Sequence, residues 1–172
     1  YDANGVPLRA RLVAGFTPAM RVASRFPALY NWAVTAPGVS RWIKRFAGFS
    51  LKRSLPGLHS TTLAAWHAKH ANQSGIGGIA AGREHARASE TPGARASSPA
   101  HHPFPHGRVF LFCDEFTNYT DTPVGIKAVQ LLNRLGYEVV IPEHVESGRA
   151  HLSKGLVRDA QKFAIRNVEL LK

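Results

Sequence analysis

Val109–Arg149 reads VFLFCDEFTNYTDTPVGIKAVQLLNRLGYEVVIPEHVESGR and runs on into AHLSKG at 150–155. Arg108–Cys113 (RVFLFC) is a continuous apolar run of strand length. Without polar alternation, such a run suits a parallel strand buried on both faces. Pro123 opens a helix, because the first helical position needs no backbone donor. Ile126, Val129, Leu131, Leu132 and Leu135 supply its apolar side, and Gly136 is placed to cap its end. Tyr137–Ile141 (YEVVI) is a second strand, and Ser153 caps a last helix running to about Leu171. Strand, helix and strand joined by a short crossover imply parallel strands and a right-handed connection. The expected fold class is α/β, half of an open parallel βαβα sheet, with too little apolar surface to close a core alone.

Upstream of this unit, residues 67–106 are rich in Ala, Gly, Ser, His and Pro and nearly empty of large apolar residues. Such a stretch cannot bury enough surface to offset its ordering entropy, so it is expected to be a disordered linker. Gly75-Ile76-Gly77-Gly78 has no strand before it, which argues against a phosphate-binding loop. His101, His102 and His106 form a loose cluster that suits a His-Pro linker better than a metal site.

Residues 1–66 carry the next pattern. Asn4-Gly5-Val6-Pro7 signals a turn, with Pro7 opening a helix whose stripe is Leu8, Leu12, Val13 and Phe16. Thr17-Pro18 and Pro37-Gly38 break the pattern into short helices over residues 19–26, 27–34 and 39–46. In the last of these, Val39, Trp42, Ile43 and Phe46 share one face, and Arg41, Lys44 and Arg45 take the other. Three regions follow: 1–66, a basic helical connector; 67–106, a low-complexity flexible linker; and 107–172, the α/β unit.

The net charge is +11 over 172 residues, and residues 1–66 hold nine Lys or Arg against the single acid Asp2. The cations are spread along amphipathic segments, and no nucleic-acid motif accompanies them, so no nucleic-acid partner is expected. Two readings of this basic third remain. Its apolar faces pack on a neighbouring domain with the cations in water, or it lies on an anionic membrane surface with its aromatic residues inserted. No apolar run is long enough to span a membrane. Tyr1–Gly5 is neither an initiator region nor a secretory leader, which suggests an internal fragment of a longer, cytoplasmic polypeptide, peripheral at the inner membrane in the second reading. The lone cysteine, Cys113, excludes an internal disulfide and an all-cysteine metal site. Its simplest role is that of a small buried apolar residue.

Several blocks then take on a joint meaning. GVPLRARL at 5–12, LYNW at 29–32, RWIKRFAGF at 41–49, KRSLP at 52–56, VFLFCDEFTNY at 109–119, LGYEVV at 135–140 and GR-x-x-LSKGL at 148–156 follow in that order. The order resembles the C-terminal region of FAD-linked oxidases fused to iron–sulfur modules. Relatives of that family include glycolate oxidase iron–sulfur subunits, the C subunit of anaerobic glycerol-3-phosphate dehydrogenase and the cysteine-rich CCG domain of the heterodisulfide reductase B subunit. The resemblance covers about residues 1–66 and 107–172. It implies FAD and iron–sulfur clusters in upstream FAD and ferredoxin-like domains of the same polypeptide, and none bound by this chain.

In that domain a cysteine precedes the Asn-Tyr of the first turn, and a Cys-Cys-Gly-Arg motif follows the second strand. Carried over position by position, Glu115 stands at the first ligand, Glu146 and Ser147 stand at the cysteine pair, and Gly148 and Arg149 match the Gly-Arg. The spacing is kept, with 30 residues between Glu115 and Glu146. The ligands are not, because carboxylates and a hydroxyl are hard oxygen donors that do not hold an iron–sulfur cluster. Both carboxylates belong at the carboxyl ends of adjacent parallel strands, where open α/β sheets commonly bind ligands. Arg149 is placed to pair with one of them or to clamp an anion. Asn118 and Tyr119 suit the fixing of the turn, and Lys154 is a solvated lysine near the site.

Two functions follow as expectations. In the first, the chain is a structural or docking part of an oxidoreductase that oxidises a 2-hydroxy acid such as lactate or glycolate, or glycerol 3-phosphate, and is not catalytic alone. In the second, it is a cluster-less α/β module that binds an anionic ligand, a partner subunit or a membrane surface.

Overall fold

The structure, a computed structural model, describes residues 5–71 and 104–172. Its first part holds α1 (Leu8–Ala14), α2 (Phe16–Ala23), α3 (Pro27–Thr35), α4 (Pro37–Phe46) and α5 (Leu63–His70). The second part holds β1 (Arg108–Phe110), α6 (Glu115–Tyr119), α7 (Thr122–Arg134), β2 (Glu138–Val140), α8 (Arg149–Leu152) and α9 (Val157–Leu170). The chain is therefore mostly helical, with one small two-stranded sheet among the described residues.

Prolines place the early helices. Pro27 and Pro37 open α3 and α4, and Pro7 precedes α1 as its N-cap rather than its first residue. The breaks expected at Thr17-Pro18 and Pro37-Gly38 lie instead inside the first turns of α2 and α4. Proline is tolerated there because a first-turn N–H has no intrahelical acceptor to lose. The stripe expected on α1 is also displaced. Leu8 and Leu12 are exposed, and Ala10 and Ala14 make the buried contact, so α1 lies close to its neighbours through small residues.

β1 and β2 pair in parallel with Val109 opposite Val139, as the strand–helix–strand order requires. The pairing extends one bond further, from Leu111 N–H to the Val140 carbonyl, before the chain leaves the sheet short of the expected end at Cys113. Nor is this strand buried on both faces. Phe110 is 70% exposed and Phe112 is also exposed, whereas Cys113 is buried. The reason is that α5 and α7 both pack on the same face of the sheet. Leu63, Cys113, Val129 and Val139 form that core, lined by Trp66, Val109, Leu111, Ile126 and Leu132. Each of the fully buried aliphatic side chains contributes on the order of 1.5–3 kcal/mol by leaving water. Leu131 and Leu135, expected on the buried side of α7, face solvent.

The boundary expected between residues 66 and 67 falls within α5. Leu63 has no exposed surface and sits in the core of the α/β unit, so the first region ends by supplying a core helix. Thr62 caps that helix by accepting from Ala65 N–H. A second cluster, Met20, Leu58 and Tyr119, joins α2 to the turn after β1. Gly75–Gly78, His101 and His102 lie outside the described residues, and His106 packs against the Tyr137 ring at 5.5 Å. Ser153 does not cap α9. It follows α8 as its C-cap and donates to the Ala150 carbonyl, and α9 begins at Val157.

Candidate functional site

Where the two strands end, the chain brings three of the sequence-marked positions together. Glu115 opens α6 directly after Asp114, whose side chain caps that helix by accepting from Thr117 N–H at 2.7 Å. Glu115 is only 3% exposed. A buried carboxylate must be fully hydrogen-bonded to persist, and Ser147 provides the partners. Its backbone N–H donates to Oε2 at 3.0 Å and its hydroxyl donates to Oε1 at 2.8 Å. The hydroxyl oxygen in turn accepts from Arg149 N–H at 3.2 Å. One side chain thus clasps the loop after β2 to the turn after β1.

Glu146 does not join this clasp. Its Oε2 accepts from the Thr17 hydroxyl at 2.6 Å, which ties the loop to α2. Asn167 on α9 holds the same loop from the far side. Its side-chain oxygen accepts from Val145 N–H at 2.9 Å, and its amide donates to the Glu146 carbonyl at 3.1 Å. Gly148 is buried with φ +73°, and a side chain there would meet Ala160 backbone atoms at 3.3 Å, so glycine lets α8 start hard against α9.

Arg149 pairs with neither Glu115 nor Glu146. It reaches Asp114 Oδ2 at 3.2 Å and lies over the Phe116 ring at 4.5 Å from the centroid. The pair is largely exposed, so its energetic weight is small. Phe116 also stacks on Phe16 of α2 at 4.7 Å. Asn118 fixes more than its own turn. Its side-chain oxygen accepts from Ala64 N–H at 3.0 Å, which holds the first turn of α5 beside α6.

A cavity of about 250 Å³ opens beside the clasp. Its wall includes Thr17, Arg21, Cys113, Glu115, Asn118, Tyr119, His144, Glu146 and Phe163. Arg149, Gly148, Ser147 and Lys154 do not line it. His144 Nε2 accepts from Cys113 N–H at 3.3 Å, which leaves its Nδ1–H to donate to the Val145 carbonyl at 2.9 Å. Burial, with a smaller push from the Asp114 carboxylate, raises the Cys113 thiol to about 12. A thiol so placed is protonated at neutral pH and is neither a ready nucleophile nor a ready metal ligand.

An iron–sulfur cluster of the kind held by the resembled domain does not fit these residues. The positions of its thiolates hold oxygen donors already engaged with Ser147, Thr17 and each other's loops. Among the described residues, no group of three or more His, Cys, Asp or Glu could hold a metal ion. Nor, among them, is any helix long and apolar enough to cross a membrane.

Sequence reasoning marked Glu115 and Ser147 through the resemblance, position by position. It missed Asp114, although Asp three residues before Thr117 is a capping signal, and it missed Thr17, His144 and Asn167. Thr17 and Asn167 carry no local sign of their role, since each acts only through a partner distant in sequence, the Glu146 carboxylate for Thr17 and the Val145–Glu146 backbone for Asn167. No family model matches this chain, and the searches of curated proteins and of solved structures returned no significant match.

Proposed function

We propose that this chain is a structural, redox-silent part of an FAD-linked, iron–sulfur-associated oxidoreductase, built on the first half of a CCG-type α/β unit whose cluster site has become a hydrogen-bonded clasp. The observation that carries the reading is the bonding of Ser147 N–H and Oγ to the two oxygens of buried Glu115. These residues stand where the resembled family places thiolates that converge on one cluster. Oxygen ligands cannot hold that cluster, but a carboxylate and a hydroxyl can hold the same two loops together directly. In this reading electron transfer belongs to flavin and clusters elsewhere in the polypeptide, and the present residues keep a docking surface in shape.

A second reading, a small-molecule binding module, draws on the cavity lined by Arg21, Tyr119, Glu115 and Glu146. The two are separated by anaerobic purification of the complete polypeptide, followed by its visible spectrum and assays of iron and acid-labile sulfide. Flavin absorbance with iron and sulfide, none of it lost in a Glu115→Ala variant, is the expected result. A colourless, iron-free polypeptide overturns the oxidoreductase reading and leaves the binding module.

A further inference from the structure

Between α4 and the chain that follows it lies an open groove of about 520 Å³ lined by Gly38, Arg41, Trp42, Arg45, Leu51 and Lys52. Gly48 and Phe49 turn the chain back after α4, with Phe49 N–H bonded to the Lys44 carbonyl, and this brings Leu51 and Lys52 alongside the helix. The groove therefore presents three cations, an indole and a leucine, and no acid. Among the described residues no ion pair engages Arg41, Arg45 or Lys52.

The surroundings extend the pattern. Trp42 is 76% exposed and Phe46 is 81% exposed, and Val39 and Ile43 beside them are also exposed. Only Ser40 of α4 is buried, against α3, so the apolar stripe of this helix is unspent. α3 is fastened to the rest of the molecule by the reciprocal bonds of Asn31 with the Leu58 backbone, at 2.8 Å each. α3, on which α4 packs, is thus tied to the rest of the molecule. Residues 5–71 hold ten Lys or Arg and no Asp or Glu.

We propose that this face docks on an anionic phospholipid bilayer, with Trp42 and Phe46 entering the headgroup–acyl boundary and Arg41, Arg45 and Lys52 binding lipid phosphates in the groove. The uniform charge selects an anionic surface. The protruding aromatic rings, with no acid near them, select lipid over an acidic protein. A protein partner needs shaped pockets to receive two large side chains, whereas the membrane interface accepts them anywhere, and tryptophan favours that level. A helix with an apolar stripe flanked by Lys and Arg lies in the interface plane in just this way. The proposal stands on this surface alone and does not rest on the reading of the Glu115 clasp.

The test is co-sedimentation of the full chain at low salt with vesicles of phosphatidylcholine alone and of phosphatidylcholine mixed with phosphatidylglycerol, together with tryptophan emission. Binding only to the mixed vesicles, with a blue-shifted emission, is expected. Arg41→Ala, Arg45→Ala and Lys52→Ala combined should weaken it roughly a hundredfold, at about fivefold per cation. Trp42→Ala with Phe46→Ala should abolish the blue shift. A control combining Lys127→Ala, Arg134→Ala and Arg158→Ala, exposed cations of the α/β half, should bind within about twofold of the parent after correction for net charge. Circular dichroism of every variant should match the parent, since all of these side chains are exposed. Absence of vesicle binding, equal binding to both vesicle types, or an equal loss in the control set would each overturn the proposal.

Discussion

Glu115 is buried, and its two carboxylate oxygens are each matched by a Ser147 donor. Hydrogen bonds to a charged group contribute about 1.5–3 kcal/mol net, and an unmatched buried partner costs a similar amount. Glu115→Ala is therefore expected to lower stability by about 2–4 kcal/mol. Ser147→Ala should cost less, because the backbone N–H of residue 147 survives the change. Urea titration of both single variants and the double variant checks this. A coupling near zero would mean the clasp adds nothing. Cys113 gives a second expectation. Its thiol ionises near 9.0 when free and is raised to about 12 in the fold. The folded chain holds a proton that the unfolded chain gives up in that interval. The stabilisation is complete below the unfolded value and is lost as pH rises through the folded one. Cys113→Ala should flatten that alkaline decline, and iodoacetamide at neutral pH should leave Cys113 unmodified until denaturant is added.

At the scale of elements, α7 lies on α5 and α6 because Gly125 leaves room for them. A side chain at Gly125 would run into Leu63 and would meet Thr117 Cγ2 at 2.8 Å. Leu63 is fully buried and has nowhere to go. Gly125→Ala would regain about 1 kcal/mol of helix propensity. It would lose about 1–3 kcal/mol to overpacking, so a net drop in melting temperature is expected. An unchanged or higher value would show that the three helices are not in firm contact. The same elements show what was legible beforehand. The βαβ order, the parallel pairing and the start of α7 are local properties of apolar runs and a proline, and they were readable. The bare face at Phe110 was not, because an apolar run reports only that a strand can be covered. Which face receives α5 depends on a helix that ends 38 residues before β1 begins. The apolar stripe of α4 was readable as a pattern, and its exposure was not, since the pattern does not say what it meets.

The whole molecule is drawn together by contacts that run between its first and second parts. Thr17 reaches Glu146, Phe16 stacks on Phe116, Asn118 holds Ala64, and His67 bonds the Val139 carbonyl at 3.0 Å. Division into connector, linker and α/β unit followed composition, and composition does not register that Leu63 lies at the centre of the core made by Val129 and Val139. Sharing one core between two stretches of chain has a consequence for the polypeptide as a covalent object. Residues 5–71 and 104–172 should behave as the two halves of a split protein. Prepared separately, each lacks its partner surface and should show little cooperative unfolding. Mixed, they should reassemble into a one-to-one complex that restores a cooperative transition, at a midpoint that rises with concentration because the connecting segment no longer supplies a fixed effective concentration. Two pieces that melt independently and ignore each other would show that the chain is two neighbours rather than one fold.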